Sequence, residues 1–320
     1  MNQPKKDYLQ SVLESHRMSN IEELIEKYQI RRSQIKEFLE KRYTTNIYAP
    51  INSGSFAKFT AINSKFDLDL AVPFKRSSFA TISEMFDDVY ECLNEEFGEI
   101  ANIRKQKVSI GIEFLPDSGN DIVSLDIVPG RELNNDQYPS DKNINLYVNS
   151  RFGEISEKTY IQTNIQAQVD HIKAKDKERK IIRLLKIWKS SNNESYKSFL
   201  FELIVIRAFK DENISGDLWS QLKKVLEYIE NNVAKSGFTL NDPGNSNNNV
   251  MLTLDQSEKH SLSHKMNVII NNIEDITQNI KIYFPINESF EPTVDGSSGY
   301  GVKGVTVGLS IPPSNQRFGI

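Results

Sequence analysis

The sequence of 320 residues has very little cysteine and no long apolar run. Its single cysteine, Cys92, excludes an internal disulfide, and one cysteine with four histidines does not supply the ligand spacing of a zinc finger. No apolar segment is long enough to cross a bilayer, and the first ten residues lack the apolar core of a signal peptide. We therefore expect a cytoplasmic protein that does not enter a membrane.

A basic excess is also absent. Lys and Arg number 39 against 43 Asp and Glu, which gives a net charge of −4 at pH 7. Proteins that grip a long nucleic acid usually carry a basic surplus, so we expect no obligatory nucleic-acid partner. The basic stretches at residues 31–42 and 173–189 contain acids at helical spacing, which favours solvated helix faces.

Three aspartates carry the strongest chemical signal in the chain. Asp67 and Asp69 alternate with leucines in one apolar run, and Asp126 lies in a second apolar run. Because side chains alternate along a strand, Asp67 and Asp69 share one face while the leucines point to the core. Burying like charges is costly unless cations neutralise them. Three carboxylates on adjacent strands can hold two Mg²⁺ ions, as in-line transfer from a nucleoside triphosphate requires.

The pair Gly54-Ser55 precedes the first two aspartates and lies between a predicted strand and a predicted short helix. Glycine permits close approach of the backbone to a phosphate, and the serine hydroxyl can bind a phosphate oxygen. Gly-Ser alone would indicate an ordinary turn. Its position ahead of the aspartates predicts a phosphate-binding loop.

Periodicity predicts mixed α and β structure in the first half of the chain, with Asn20 as a candidate helix N-cap and Cys92 on a helix. The predicted elements are a helix over 6–42, a strand over 46–52, a helix and turn over 55–65, a strand over 67–73, a helix over 80–97, and strands near 105–114, 121–128 and 144–149.

The second half is predicted to be helical, and we place a domain boundary between residues 155 and 156. Beyond residue 295 the chain is rich in glycine and serine, consistent with a flexible tail or an irregular loop, and alternating apolar residues over 305–311 permit a terminal strand. The predicted elements are helices over 156–173, 176–191, 198–210, 215–232 and 262–282, with a loop over 241–249.

The segment Gly-Ser-Phe-Ala-Lys-Phe-Thr-Ala-Ile at 54–62, with the Asp-Leu-Asp-Leu at 67–70 and the Leu-Asp at 125–126, resembles the polymerase-β-like nucleotidyltransferases. Within that superfamily it is similar to the bacterial CD-NTases of anti-phage signalling, relatives of cyclic GMP–AMP synthase and oligoadenylate synthase. One departure is Phe59, which stands where these relatives usually carry a glycine.

The second half extends this resemblance, which covers roughly residues 50–250. Segments 182–189 and 198–203 are similar to the signature of the family's helical lobe, and so is the loop over 241–249. The resemblance implies an α+β fold, with a catalytic lobe built on a small mixed sheet in residues 1–155. A helical lobe would follow in 156–320, with the active site in the cleft between them.

The resemblance also implies roles for the catalytic lobe. Asp67 and Asp69 would bind both Mg²⁺ ions, for which Mn²⁺ can substitute. Asp126 would complete the catalytic metal site and help to activate the attacking ribose hydroxyl. Gly54, through its backbone, and Ser55 would hold the terminal phosphates of the nucleotide.

On the helical lobe, Lys186 and Ser198 would reach the same triphosphate from the other side. A solvent-facing helix lysine is the alternative for Lys186, although apolar neighbours in the sequence suggest that it lies beside the core. Trp188 is expected to belong to that core and not to stack on a base.

The base-binding cleft would need a few polar side chains. Candidates are Asp242, Gln162, Asn164 and Gln166, and the sequence does not rank them. The loop over 241–249 is equally consistent with a plain connection that contains Asx turns.

The leading hypothesis is an enzyme that joins nucleoside triphosphates into a cyclic di- or trinucleotide messenger and releases pyrophosphate. Family frequency favours a purine product such as cyclic di-GMP or cyclic GMP–AMP. The resemblance places it in anti-phage (CBASS) signalling, with a product-binding effector encoded separately. We expect a monomer, activated without nucleic acid by a protein or a metabolite.

Two alternatives stay open. A nucleotidyltransferase with the same metal site could use RNA, a protein or a small molecule such as an antibiotic as its acceptor. A non-catalytic nucleotide sensor could also keep the fold, although such a protein has no reason to hold three buried carboxylates together.

Overall fold

A mixed sheet occupies the first half of the chain, as the sequence predicted. The computed structural model describes residues 4–116, 121–149 and 159–290. The strands of the sheet are β1 (Ile51–Ser53), β2 (Leu68–Phe74), β3 (Ala101–Lys105), β4 (Ile110–Phe114), β5 (Val123–Glu132), β6 (Ile144–Tyr147) and β7 (Tyr160–Thr163).

Helices pack on the sheet and form most of the second half. Those of the first half are α1 (Lys5–Ser15), α2 (Glu22–Tyr43), α3 (Gly54–Ala57), α4 (Ile82–Phe97) and α5 (Tyr138–Asp141). Those of the second half are α6 (Ile165–Lys173), α7 (Asp176–Ser191), α8 (Ser198–Asp211), α9 (Leu218–Asn232), α10 (Gln256–Asp275) and α11 (Ile280–Tyr283).

The strand order β1-β2-β5-β4-β3 places β2 and β5 in the middle of the sheet, and β6 pairs with β5 and with β7. β2 and β5 run parallel, and every residue of both strands is buried. Leu68 lies opposite Leu125, and Asp69 lies opposite Asp126. The two leucines belong to the core cluster that α2 and α4 cover, so the aspartates point to the opposite face.

The predicted helix over 6–42 is wrong at its middle, because the chain breaks between α1 and α2 with a 3₁₀ turn at Met18–Ile21. Asn20 does not cap α2, since Ile21 holds that position. The Asn20 amide instead donates to the carbonyls of Glu14 and Ser15 and closes α1. A side chain that hydrogen-bonds carbonyls upstream acts as a helix stop.

Three further predictions are corrected by strand pairing. The predicted strand over 105–114 is a hairpin of β3 and β4, and the predicted helix over 156–173 includes β7, which pairs with β6. Asn164 then caps α6 by accepting from the Ala167 amide. The loop over 241–249 contains a second small sheet, formed by β8 (Asn241–Asp242) and β9 (Asn245–Asn249).

The helices α7, α8, α9 and α10 share one large apolar cluster. Helix α7 has the predicted bounds, and Trp188 is 2% exposed within the cluster, which confirms its predicted core role. Cys92 is buried in the core beside the sheet. Residues Tyr8, Leu9, Val12 and Leu13 of α1 also belong to the helical cluster, so the amino-terminal helix packs on the second half of the chain.

Three predictions concern parts of the chain that lie outside the described residues. These are the flexible tail or irregular loop beyond residue 295, the terminal strand over 305–311 and the residues 150–158 around the predicted domain boundary. The division into residues 1–155 and 156–320 therefore stays a prediction. Among the described residues, no helix combines the length and apolar character needed to span a membrane.

We expect Leu125→Ala to lower the free energy of unfolding by about 2–5 kcal/mol, because it leaves a cavity at a fully buried position next to Asp126. Leu252→Ala is the matched control. That leucine is 78% exposed, so its truncation should change stability by less than about 0.5 kcal/mol. Urea denaturation of both variants measures the difference, and equal effects would contradict the assigned core.

Candidate active site

One row of residues crosses the sheet on the face opposite the core leucines. Ser53 on β1 is paired with Asp69 on β2, Asp69 with Asp126 on β5, and Asp126 with Gly111 on β4. Residues paired across neighbouring strands project to the same side of a sheet. The row therefore brings two aspartates side by side and sets a small residue on each flank.

Asp67 joins this pair from the residue just ahead of β2. One carboxylate oxygen from each of Asp67, Asp69 and Asp126 lies within 4.8 Å of the other two. Asp69 and Asp126 are 6% and 1% exposed, and Asp67 is half-buried. The structure confirms that the three predicted residues come together.

The donor set of this cluster fits a hard divalent cation. Carboxylate oxygens are the ligands that Mg²⁺ and Mn²⁺ prefer, and three of them this close repel one another unless a cation intervenes. The Oγ atoms of Ser53 and Ser124 are buried on the same face, and within the described parts of the chain neither has a hydrogen-bond partner. Polar groups left without a protein partner are suited to a hydrated ion or its ligand.

Gly54 provides the space that Asp69 occupies. Its φ is +65°, in the left-handed region that favours glycine, and a Cβ atom placed on it would lie 1.6 Å from Asp69 Oδ2. No side chain fits there without displacing the carboxylate. The sequence predicted that Gly54 lets a phosphate approach the backbone. The structure shows that Gly54 leaves room for the carboxylate of Asp69.

A buried ion network joins the loop after α3 to the helices α7 and α8. Glu202 of α8 accepts from Lys58 Nζ at 2.9 Å and pairs with Lys186 Nζ at 2.8 Å. Lys186 Nζ also donates to Thr60 Oγ1 at 2.8 Å, and Thr60 Oγ1 donates to Glu202 at 3.1 Å. Lys186 is thus buried, and the alternative of a solvent-facing lysine is wrong.

The charges in this network are unequal. Burial alone would raise the pKa of Glu202, but the charges and hydrogen bonds of Lys186 and Lys58 outweigh it and lower the pKa from 4.5 to about 2. One carboxylate therefore faces two lysines, and the group carries a net positive charge. The predicted role of Lys186 in binding a triphosphate stays a prediction.

Lys189 lies three residues beyond Lys186 on α7 and was not singled out from the sequence. Its Nζ lies 3.4 Å from Ser198 Oγ, at the start of α8. Burial lowers the pKa of Lys189 to about 8, with the charges of Lys65 and Lys186 acting in the same direction. The signals in the sequence were its place at the end of the segment 182–189 and its spacing of three from Lys186 on a helix.

Asp242 belongs to a different group of residues. Gln168 Nε2 donates to both of its carboxylate oxygens at 3.0 Å, and the Gly244 amide donates at 2.7 Å. Asn248 Nδ2 adds a contact at 3.3 Å. These bonds hold the β8–β9 hairpin against α6, so a structural role for Asp242 is visible and its nucleotide role stays a prediction.

The other candidates for the base also have partners in the fold. Besides capping α6, Asn164 donates to the Asp141 carbonyl. Gln166 donates to Asp170, and the backbone carbonyl of Gln162, whose side chain is exposed, accepts from Asn245. No ranking for base recognition follows from these contacts.

Phe59 holds a left-handed backbone, with φ of +56°, one residue beyond Lys58, the C-cap of the short helix α3. Glycine is the usual residue at such a helix end, and it is the residue expected there from the resemblance. The Phe59 side chain is 53% exposed, and its ring contacts Lys173 and Arg179. The bulky residue is therefore accommodated at the surface of the loop.

No protein-family model matches this sequence, and no curated protein matches it. Solved structures do. CdnG, a CD-NTase of Bradyrhizobium diazoefficiens in complex with GTP, aligns with a TM-score of 0.67 at 13% identity, over 88% of this chain and 96% of that one. CdnC of E. coli MS115-1 with ATP aligns with a TM-score of 0.63 at 19% identity, over 86% and 93%.

A complex of the same CdnC with HORMA-deltaN aligns with a TM-score of 0.62 at 20% identity, over 81% of this chain and 88% of that one. These alignments define the class of fold, a mixed sheet with a helical second half. More narrowly, the chain has the fold of the bacterial CD-NTases. The predicted resemblance and the α+β fold are confirmed.

We expect Gly54→Ala to weaken Mn²⁺ binding by at least about tenfold, because the new Cβ displaces Asp69 from the cluster. Gly237→Ala is the control, since Gly237 also has a positive φ, of +80°, but nothing lies within 4 Å of its Cβ position. Isothermal titration with Mn²⁺ measures both variants. Equal affinity for the two would contradict the role given to Gly54.

We expect Glu202→Gln to lower the free energy of unfolding by about 3–5 kcal/mol near neutral pH, because it leaves two lysines buried without their carboxylate. The pKa of Glu202 is lowered on folding, so its contribution is complete above pH 4.5 and is lost as the pH falls through about 2. The difference between wild type and variant should therefore narrow in acid.

Urea unfolding at several pH values measures this change. Glu40→Gln removes the carboxylate of an exposed pair with Lys36, and it should cost less than about 1 kcal/mol at any pH. A difference for Glu202→Gln that stays constant from pH 6 to pH 3 would show that the network does not act through the charge of this residue.

Proposed function

We propose that this protein is a metal-dependent nucleotidyltransferase that joins nucleoside triphosphates into a cyclic di- or trinucleotide and releases pyrophosphate. The observation that carries the proposal is the cluster of Asp67, Asp69 and Asp126, in which Asp69 and Asp126 lie opposite each other on paired strands. The likeness to CD-NTases in complex with GTP and with ATP supports it. A structure of a c-di-GMP synthase from Capnocytophaga granulosa also aligns, at 17% identity and a TM-score of 0.59.

The three carboxylates would hold two divalent cations, Mg²⁺ or Mn²⁺. When bound, such cations neutralise triphosphate charge and favour deprotonation of a nearby hydroxyl. Asp67 and Asp69 share one strand end and would hold both ions. Asp126, from the neighbouring strand, would complete one site and help to activate the attacking ribose hydroxyl.

The chemistry of each step is the same. The ribose hydroxyl oxygen forms a bond to the α-phosphorus of a second nucleotide, and the bond from that phosphorus to the bridging oxygen breaks. Pyrophosphate leaves with that oxygen, and the hydroxyl proton is released. Ring closure repeats this displacement within the linear intermediate, so one set of carboxylates serves every step.

The Gly54 backbone and Ser55 would hold the triphosphate from one side. Lys186, Lys189 and Ser198, which belong to α7 and α8, would hold it from the other. Support comes from the depressed pKa of Lys189 and from the two lysines that share the single carboxylate of Glu202. A buried region with surplus positive charge favours an anionic ligand.

Several finer features belong to the same proposal. We favour purine substrates, a product such as cyclic di-GMP or cyclic GMP–AMP, and a role in anti-phage defence with a separately encoded effector. The net charge of −4 supports activity without nucleic acid. The aligned complex of CdnC with HORMA-deltaN supports a protein trigger.

Product analysis by mass spectrometry tests the reaction. Wild type and the double variant Asp67→Asn/Asp69→Asn are incubated with Mg²⁺ or Mn²⁺ and all four nucleoside triphosphates, and then with each pair. We expect a phosphatase-resistant cyclic product from wild type alone and a loss of at least about 10³-fold in the variant, because the variant lacks two of the three metal-binding carboxylates.

Other results would change the assignment. Pyrophosphate released without a small product would indicate another acceptor, such as RNA, a protein or an antibiotic. No pyrophosphate from wild type under any condition would contradict the enzyme. Strong stimulation by duplex DNA at physiological salt would contradict activation without nucleic acid.

A further inference from the structure

Gln106 lies at the tip of the β3–β4 hairpin and faces the third carboxylate of the cluster. Its side chain is buried, at 4% exposure, and its Nε2 donates to Asp126 Oδ1 at 3.1 Å. A buried amide aimed at a buried carboxylate is a costly arrangement unless both groups are satisfied. The contact is therefore specific to these two side chains and not an incidental surface pair.

Ser109 fixes the orientation of this amide. The Ser109 hydroxyl donates to Gln106 Oε1 at 2.8 Å, and the Gln106 backbone amide donates to the Ser109 carbonyl at 2.8 Å across the turn. A carboxylate can only accept and the hydroxyl donates, so the amide must present its NH₂ group to Asp126. The hairpin thus delivers a donor, in one orientation, to a carboxylate oxygen.

Gly111 leaves the space in which the Gln106 side chain lies. It is paired with Asp126 in the sheet, and a Cβ atom on it would lie 2.2 Å from Gln106 Nε2. Its backbone φ is not positive, so the glycine is needed for room and not for conformation. Asp126 therefore has Asp69 on one side and, on the other, a gap filled by the amide of Gln106.

We propose that Gln106 is a positioning residue for the metal cluster, and that it sets the direction in which Asp126 presents its carboxylate to a divalent cation. The inference rests on the metal-dependent function proposed above. By donating to Oδ1, Gln106 fixes the rotation of the carboxylate plane, which the strand alone does not fix. Ser109 and Gly111 support it, one by orienting the amide and the other by leaving it room.

The energetic reason is the closeness of the three acids. A carboxylate beside two others within 4.8 Å tends to rotate away from them, and rotation of one ligand degrades a site that needs several oxygens at once. Hydrogen bonds that orient metal ligands commonly change metal affinity by about 10–100-fold. We expect an effect of this size from one donor.

Direct Mn²⁺ binding, measured by electron paramagnetic resonance on the full chain without nucleotide, tests the inference. Gln106→Met keeps a similar length but removes the donor, and we expect Mn²⁺ affinity to fall by at least about tenfold. Ser109→Ala keeps the Gln106 amide but removes the hydrogen bond that orients it. We expect Mn²⁺ affinity to fall in this variant too, by less than in Gln106→Met. Gln168→Met removes a Gln–Asp bond of the same kind at Asp242 and should leave Mn²⁺ affinity within twofold.

Thermal unfolding separates positioning from a merely structural role. A Gln106→Met variant that melts lower but binds Mn²⁺ as wild type does would overturn the proposal. If Gln106→Met does not fold, Ser109→Ala decides, and unchanged affinity in that variant also overturns it. In steady-state assays of Gln106→Met, kcat should fall by about 10–100-fold while KM for the nucleotide changes less than about threefold.

Mn²⁺ binding and product formation are measured in separate experiments. The proposed role of Gln106 and the proposed reaction can therefore be contradicted independently. A wild type that binds Mn²⁺ but forms no product would contradict the proposed reaction and still test Gln106. A wild type that binds no Mn²⁺ would overturn the metal site and this inference with it.

Discussion

The repulsion between Asp69 and Asp126 is the constraint on which the site depends. Parallel pairing of β2 and β5 sets the two carboxylates at neighbouring positions on a buried face, where like charges are expensive. The sheet tolerates this because apolar pairing on its other face holds the two strands together regardless of charge. The residues around the acids are then specialised: Gly54 and Gly111 make room, and Gln106 supplies a donor.

Ion pairs, and not apolar contacts alone, connect the second half of the chain to the segment beside this site. Glu202 forms ion pairs with Lys58 in the loop after α3 and with Lys186 in α7. A single carboxylate therefore connects segments from both halves of the chain. The short helix α3, which precedes this loop, begins at Gly54, against Asp69. The glycine that makes room for Asp69 and the lysine that contacts α8 are therefore only four residues apart in the sequence.

Local patterns predicted the parts of the molecule that local physics decides. Alternation in two apolar runs was sufficient to place the aspartates on one face, and helical spacing gave the bounds of α7. The sequence could not reveal contacts that depend on register, such as Gln106 with Asp126, because the two residues meet only once β4 and β5 pair. The prediction of a helix over 156–173 was wrong for a related reason. Pairing of β7 with β6, which local sequence does not show, overrides the local preference for helix.

The parallel pairing of β2 and β5 has a consequence for how the molecule is made. Asp69 and Asp126 are separated in sequence by α4 and by the β3–β4 hairpin, so no stretch of nascent chain that ends before β5 contains a complete cluster. Long-range parallel contacts are slow to form because the intervening loop must close first. The proposed cation site would therefore exist only once β2 and β5 have paired, and a chain that has not reached this topology would lack it.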